Sequence, residues 1–167
     1  MNFFNEYNDH LVSFCQSSHH TVPISIVAAG KSLWCVSLTN LSNRLSFYST
    51  LQSNSFDKLL LDIHTEEPLA VVGIGSEMKL FDLLAGRCDI IANNYKSVSS
   101  NVQLIRANQC PRNEFVVAYK NSQISIFDQR QKEGAIQHFY HFSKVTSLQM
   151  DTWKLISTDV RGCVRLW

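Results

Sequence analysis

Short runs of alternating apolar and polar residues, broken by polar turns, dominate the chain. In Gln123-Ile124-Ser125-Ile126-Phe127-Asp128 and in Cys163-Val164-Arg165-Leu166-Trp167, apolar side chains fall mainly on alternate positions. Successive side chains of an extended strand point to opposite faces, so each run predicts a half-buried β-strand. Two further runs, Leu69-Ala70-Val71-Val72-Gly73-Ile74 and Glu114-Phe115-Val116-Val117-Ala118-Tyr119, are nearly continuous in apolar residues. These predict strands buried on both faces. No long stretch carries a helical apolar stripe. The pattern predicts an all-β chain.

The alternation also repeats on a longer scale. Four segments end alike: Leu45-Ser46-Phe47-Tyr48, Met78-Lys79-Leu80-Phe81-Asp82, Ile124-Ser125-Ile126-Phe127-Asp128 and Val164-Arg165-Leu166-Trp167. The aromatics Tyr48, Phe81, Phe127 and Trp167 follow one another at steps of 33, 46 and 40 residues. Before each ending come a strand and a polar turn, the turns lying near residues 40–43, 75–76, 120–122 and 159–162. A further strand precedes these at residues 24–28, 58–63, 102–107 and 145–150, and residues 87–92 and 135–139 supply fourth strands. Four short strands per repeat, at a period of roughly 40–45 residues, is the make-up of a propeller blade.

The last repeat is the most specific. Val145-Thr146-Ser147-Leu148, Lys154-Leu155-Ile156-Ser157 and Gly162-Cys163-Val164-Arg165-Leu166-Trp167, with Tyr140-His141 ahead of them, resemble a WD40 repeat in spacing and residue type. The resemblance implies a partial WD40 β-propeller of about three and a half four-stranded antiparallel blades, read as a fragment of a longer product. Repeats are expected at about residues 21–54, 55–100, 101–143 and 144–167, the last truncated. Residues 1–20 form a lead-in, with the last strand of a preceding blade as one reading.

In that family a His, a strand Ser or Thr, a turn Asp and the Trp form a buried hydrogen-bonded set. The matching positions are His141, Ser157, Arg161 and Trp167. Arg is a donor only and cannot accept from His, so the set is expected to be incomplete. Asn121 stands at the corresponding turn position one repeat earlier. Tyr48, Phe81, Asp82, Phe127 and Asp128 complete the expected structural positions. The family's upper loops imply that His141, Lys120, Asn121, Lys144 and Arg161 share one face, and the last four are the candidate partner-binding residues. Residues 145–157 also resemble the corresponding blade of F-box/WD-repeat proteins, the substrate receptors of cullin–RING ubiquitin ligases. No helical F-box pattern is read before Tyr48.

Composition narrows the classes of partner. Fifteen Lys and Arg against fourteen Asp and Glu leave a net charge of +1, too little for a broad field toward nucleic acid or anionic lipid. At 45% hydrophobic and 17% charged, the chain reads as globular. The start lacks a basic segment followed by an apolar run, and no apolar run reaches membrane-spanning length, so the cytoplasm or nucleus is expected. Cys15, Cys35, Cys88, Cys110 and Cys163 are odd in number and widely spaced, which suits reduced thiols packed as small hydrophobes. Asn40-Leu41-Ser42 is then read as an accidental glycosylation sequon.

Candidate chemistry is sparse. Gly30-Lys31-Ser32 has Ser25 where a phosphate-binding loop needs its first Gly. His19-His20 and His138 with His141 lack the further ligands of a zinc site. Glu66-Glu67 beside Pro68 is turn composition. No nucleophile motif is present. The expectation is a protein-interaction scaffold rather than an enzyme. It is expected to carry no catalytic residue, cofactor or metal, and to have protein partners but no nucleic-acid, membrane or small-molecule ones.

Overall fold

The computed structural model describes the backbone of residues 11–17, 24–29, 32–37, 46–48 and 87–89, together with residues 59–64, 69–82, 100–107, 110–111, 113–131 and 134–167. Fifteen strands and no helix occur among the described residues. They form four antiparallel sheets in which neighbours in sequence are neighbours in space. The first sheet is β1 (Leu11–Ser17), β2 (Ile24–Ala29), β3 (Ser32–Ser37) and β4 (Ser46–Tyr48). The second is β5 (Leu59–Ile63), β6 (Leu69–Ile74), β7 (Glu77–Asp82) and β8 (Arg87–Asp89). The third is β9 (Val102–Arg106), β10 (Glu114–Tyr119), β11 (Gln123–Asp128) and β12 (Gln137–Tyr140). The fourth holds β13 (Val145–Met150), β14 (Leu155–Asp159) and β15 (Val164–Leu166). The first strands of successive sheets lie side by side, β1 against β5, β5 against β9 and β9 against β13. This is the arrangement of propeller blades around an axis.

Two positions differ from the sequence reading. Leu11–Ser17 pairs along β2 and belongs to the first sheet, so the lead-in is not the last strand of a preceding blade. Tyr48 stands in β4, the outermost strand of its sheet, rather than in a third strand. The register explains the slip. Phe81 pairs with Ala70 and Phe127 with Phe115, each one residue past the start of a second strand. The equivalent residue of the first sheet is Val36, opposite Ser25. From Val36 the steps to Phe81, Phe127 and Trp167 are 45, 46 and 40 residues. An aliphatic residue stands where the repeat has aromatics elsewhere. The side chains of Tyr48, Phe81 and Asp82 lie outside the described residues, as do residues 19–20, 30–31, 40–43 and 66–68.

The third sheet shows why the strands are so apolar. Phe115, Val117, Tyr119 and Phe127 face the second sheet, where they meet Val71, Met78 and Leu80. Val116, Ala118, Ile124 and Ile126 face the fourth sheet, where they meet Val145, Leu148, Met150 and Leu155. Alternate side chains of one strand thus serve two different cores, which requires a continuous apolar run. Phe115 and Phe127 stack with ring centroids 5.2 Å apart. β11 is buried along its whole length, not half-buried as its alternation predicts. Its polar members are satisfied within the sheet: Gln123 Nε2 donates to Ser125 Oγ at 3.1 Å, and Ser125 Oγ lies 2.9 Å from His138 Nδ1. In β13 a bulge between Val145 and Ser147 slips the alternation by one, so that Val145, Leu148 and Met150 are all buried. β15 departs in the other direction, with Val164 and Leu166 exposed.

Polar ties also cross between the second and third sheets. Buried Asp62 accepts from the Ala107 amide at 2.8 Å, and His64 Nε2 lies 3.0 Å from the Pro111 carbonyl oxygen. Nearby Cys110 is buried, and its Sγ–H donates to the Arg106 carbonyl at 3.2 Å. Burial, reinforced by the Asp62 charge, pushes that thiol up to about 12. Cys110 is therefore an inert packing residue, whereas Cys163 is exposed, against the expectation for the thiols as a group.

Gly73 marks a close approach of the second and third sheets. A Cβ there would lie 2.7 Å from Ile105 Cδ1 and 3.1 Å from Val102 Cγ1. Gly73→Val is expected to destabilise the fold by about 1–3 kcal/mol through overpacking, and Phe127→Ala by about 3–5 kcal/mol through cavity formation. Denaturant unfolding of the two variants against the parent chain measures both.

Candidate functional site

The turns at one end of the last two sheets are joined to one another by backbone bonds. Lys120 N–H donates to the Asn101 carbonyl at 2.9 Å, and the Asn121 amide donates to Ser100 Oγ at 3.1 Å. His141 N–H donates to the Ser122 carbonyl at 3.0 Å, and Val160 N–H to the Lys144 carbonyl at 2.9 Å. The β10–β11 turn, the connection at residues 141–144 and the β14–β15 turn therefore run together as one rim. Ser122 and Gly162 hold positive φ of 69° and 78° in the two tight turns. Lys120, Asn121, Lys144 and Arg161 are all exposed on this rim. Asn121 Oδ1 accepts from the Gln123 amide at 3.2 Å, which makes it a turn residue of its own sheet.

Beneath the rim lies a buried polar cluster. Trp167 Nε1–H donates to Ser157 Oγ at 2.8 Å, and Ser157 Oγ lies 2.5 Å from His141 Nε2. His141 Nδ1 lies 3.3 Å from Asp159 Oδ2. Indole can only donate, so the Ser157 hydrogen is free to go to His141 Nε2, and His141 Nδ1–H then donates to Asp159. The side chains of His141 and Asp159 are 0% and 2% exposed, and Ser157 is wholly buried. The acceptor is Asp159, two residues before Arg161. The set expected to be incomplete is therefore complete. Counting along the sequence puts Arg161 at the acceptor position, but the bend of the turn brings Asp159 there instead. The contribution of Arg161 is its backbone amide, which donates to Asp159 Oδ1 at 2.9 Å, as does that of Cys163 at 3.1 Å.

Burial alone would raise the Asp159 carboxyl. Against it act the Ser143 hydroxyl beside it, the Cys163 and Arg161 amides and the His141 ring, and together they bring it down to about 2. Ser143 Oγ itself is outside ordinary hydrogen-bond geometry, so the two amides and the ring are the contacts that define the site. Asp128, also buried, accepts a forked contact from Arg130 Nε at 2.9 and 3.1 Å, which holds its carboxyl below the usual range.

Aromatic residues that the sequence reading did not single out surround this cluster. Phe139 packs on Trp167 with centroids 4.8 Å apart, and His141 meets Trp167 edge-on at 5.9 Å. The Arg165 guanidinium lies 4.7 Å from the Phe142 ring centroid and 5.3 Å from that of Trp167, and donates to the Tyr140 carbonyl at 2.9 Å. Phe142 is 83% exposed on the rim. Trp153 is 86% exposed on the β13–β14 turn, where Asp151 Oδ1 accepts from the Trp153 and Lys154 amides at 2.7 and 2.8 Å. A large aromatic outside the alternating strands was the available signal, but sequence does not separate an exposed ring from a core one. Among the described residues, His141, Asp159 and Cys163 bring three different donor types within 4.8 Å of one another.

No family model matches the sequence. Over 151 residues the chain is 24% identical to F-box/WD repeat-containing protein 8 of Homo sapiens, covering 87% of this chain and 24% of that protein. The chain thus spans about a quarter of that relative's length. The crystal structure of Raptor from Chaetomium thermophilum superposes with a TM-score of 0.72 at 15% identity, over 98% of this chain and 16% of that one. The computationally designed Ika4 protein gives 0.71 at 16% identity over 98% and 93%, and the designed Ika8 protein 0.68 at 16% over 92% and 44%. The fold is WD40-like. Within these WD40-like sheets, the His141 cluster ties the connection ahead of β13 to β14 and to the residue after β15.

Two outcomes follow for the cluster. Ser157→Ala leaves the His141 and Trp167 donors or acceptors without their shared partner and is expected to cost about 1–3 kcal/mol in denaturant unfolding. The Asp159 carboxyl sits below its ordinary 3.8 in the folded chain. Its stabilising contribution is therefore full above that value and is lost as pH falls from about 4 toward about 2. Acid titration of Asp159→Asn should show a shallower loss of stability over that window than the parent chain.

Proposed function

We propose that the chain is a protein-interaction scaffold whose binding surface is the rim formed by Lys120, Asn121, Phe142, Lys144 and Arg161. The observation that carries this reading is the joining of three turns by backbone bonds, which holds one exposed aromatic and three cations in place over a buried cluster. Binding through such a surface loses little conformational freedom, and aromatic and Arg side chains are the ones that most often carry interface energy. Fold alone does not assign a partner. The scaffold acts by binding, without catalysis, in the cytoplasm or nucleus.

Within that reading, the chain is the substrate-recognition part of a ubiquitin-ligase receptor. The likeness to F-box/WD repeat-containing protein 8 and the run at residues 145–157 support it. The competing reading is a WD40 scaffold of another assembly, in trafficking, chromatin or signalling.

Phe142→Ala combined with Lys144→Glu and Arg161→Glu is expected to reduce recovery of co-purifying proteins by about tenfold or more while the circular dichroism stays unchanged. Unchanged recovery would move the interface off this rim. Co-isolation of a cullin subunit with the native polypeptide separates the two finer readings, since only the ubiquitin-ligase reading requires it.

A further inference from the structure

The last sheet gathers three metal-binding side chains of different chemistry. His141 precedes β13, Asp159 ends β14 and Cys163 precedes β15, and one ligand atom of each lies within 4.8 Å of the others. His141 and Asp159 are closed off from solvent while Cys163 is exposed, so the group opens outward on its sulfur side. The two oxygens of Asp159 are divided between tasks. Oδ1 is occupied by the Arg161 and Cys163 amides, and this closes the turn that brings Cys163 back toward the carboxylate. Oδ2 faces His141 Nδ1 at 3.3 Å. That distance is long for a charge-assisted hydrogen bond. It agrees with the spacing of about 3.3 Å between neighbouring N and O ligands around tetrahedral zinc, whose bonds are about 2.0–2.1 Å. Ser143 Oγ lies beside the same carboxylate, and its hydroxyl helps to hold Asp159 ionised.

We propose that His141 Nδ1, Asp159 Oδ2 and Cys163 Sγ form a three-ligand site for a zinc-class divalent cation, with the fourth position open to water. The mixed nitrogen, oxygen and sulfur donor set suits a borderline-soft ion rather than calcium or magnesium, which take oxygen ligands. The sulfur must come within about 3.5 Å of the other donors, as a zinc–sulfur bond of about 2.3 Å requires. Rotation of the exposed Cys163 side chain supplies that movement. Protons balance as follows. Cys163 releases its thiol proton to solvent, and the imidazole proton passes from Nδ1 to Nε2. There it is donated to Ser157 Oγ, the outer hydrogen-bond partner that ligating histidines ordinarily have. Ser157 Oγ then accepts from both His141 and Trp167, and its own hydrogen turns away from that line. The site thus exchanges the His141–Asp159 hydrogen bond for a metal bridge between the same two strand ends.

Cobalt(II) titration of the full 167-residue chain under reducing conditions tests this. The expected result is one cobalt per chain, with the visible bands of four-coordinate cobalt and a thiolate-to-cobalt charge-transfer band, both erased by one equivalent of zinc. Cys163→Ser, an exposed substitution that leaves the buried cluster in place, should lose the charge-transfer band while its circular dichroism matches the parent. Zinc should also raise the Tm of the parent chain and leave that of Cys163→Ser unchanged. Absence of the charge-transfer band in the parent, or its persistence in Cys163→Ser through the other four cysteines, overturns the assignment.

Discussion

Burial on both faces of the third sheet is the constraint on which the rest of this molecule depends. Its middle strands pack on a neighbour at each side, so every side chain of β11 is buried, while β12 at the outer edge stays largely exposed. Odd positions of β10 meet the second sheet and even positions meet the fourth, so neither contact can be altered without moving the strand that serves the other. Interiors at crystal-like density do not absorb such shifts. The single glycine of β6 that faces Ile105 and Val102 shows how close the sheets come.

Asp62, His64, Gln123, Ser125, His141, Ser157 and Asp159 are compatible with this packing because each finds a partner. Asp62 and His64 bond across to the third sheet, and Gln123 and Ser125 bond along β11 and to His138. His141, Ser157, Asp159 and Trp167 form a chain of donors and acceptors at the corner of the fourth sheet. That corner does two things at once. It joins the connection ahead of β13 to the two strands that follow, and it fixes the base of the rim on which Phe142, Lys144 and Arg161 are exposed. A rigid base lets exposed residues vary in identity without disturbing the sheets below, which is how loops on a stiff scaffold come to carry binding.

The same corner places a thiol at the mouth of a buried His–Asp pair. A strand-end carboxylate that holds its turn with one oxygen leaves the other for a second task. In the resting cluster that task is the His141 ring, and the metal site exchanges one partner for another without changing the path of the backbone.

Most of the strands were legible in the sequence, because period-two alternation and continuous apolar runs follow directly from the geometry of an extended chain. The all-β class, the repeat of roughly 40–45 residues, and the positions of Phe127, Asp128 and Trp167 at their strand ends come from that local rule, and Ser157 follows from the WD40 resemblance. Three things did not. The first sheet was mis-registered because Val36 occupies a repeat position held by aromatics elsewhere, and only backbone pairing identifies it. The hydrogen-bonded set lacked an acceptor on paper because a turn cannot be counted straight, and its curvature puts Asp159 rather than Arg161 against His141. Burial of β11 and exposure of Val164, Leu166, Phe142 and Trp153 depend on what lies on the far side of each residue. Sequence by itself determines which way a side chain points along its own strand. Which other chain segment meets it there is a long-range fact, decided only when the sheets come together.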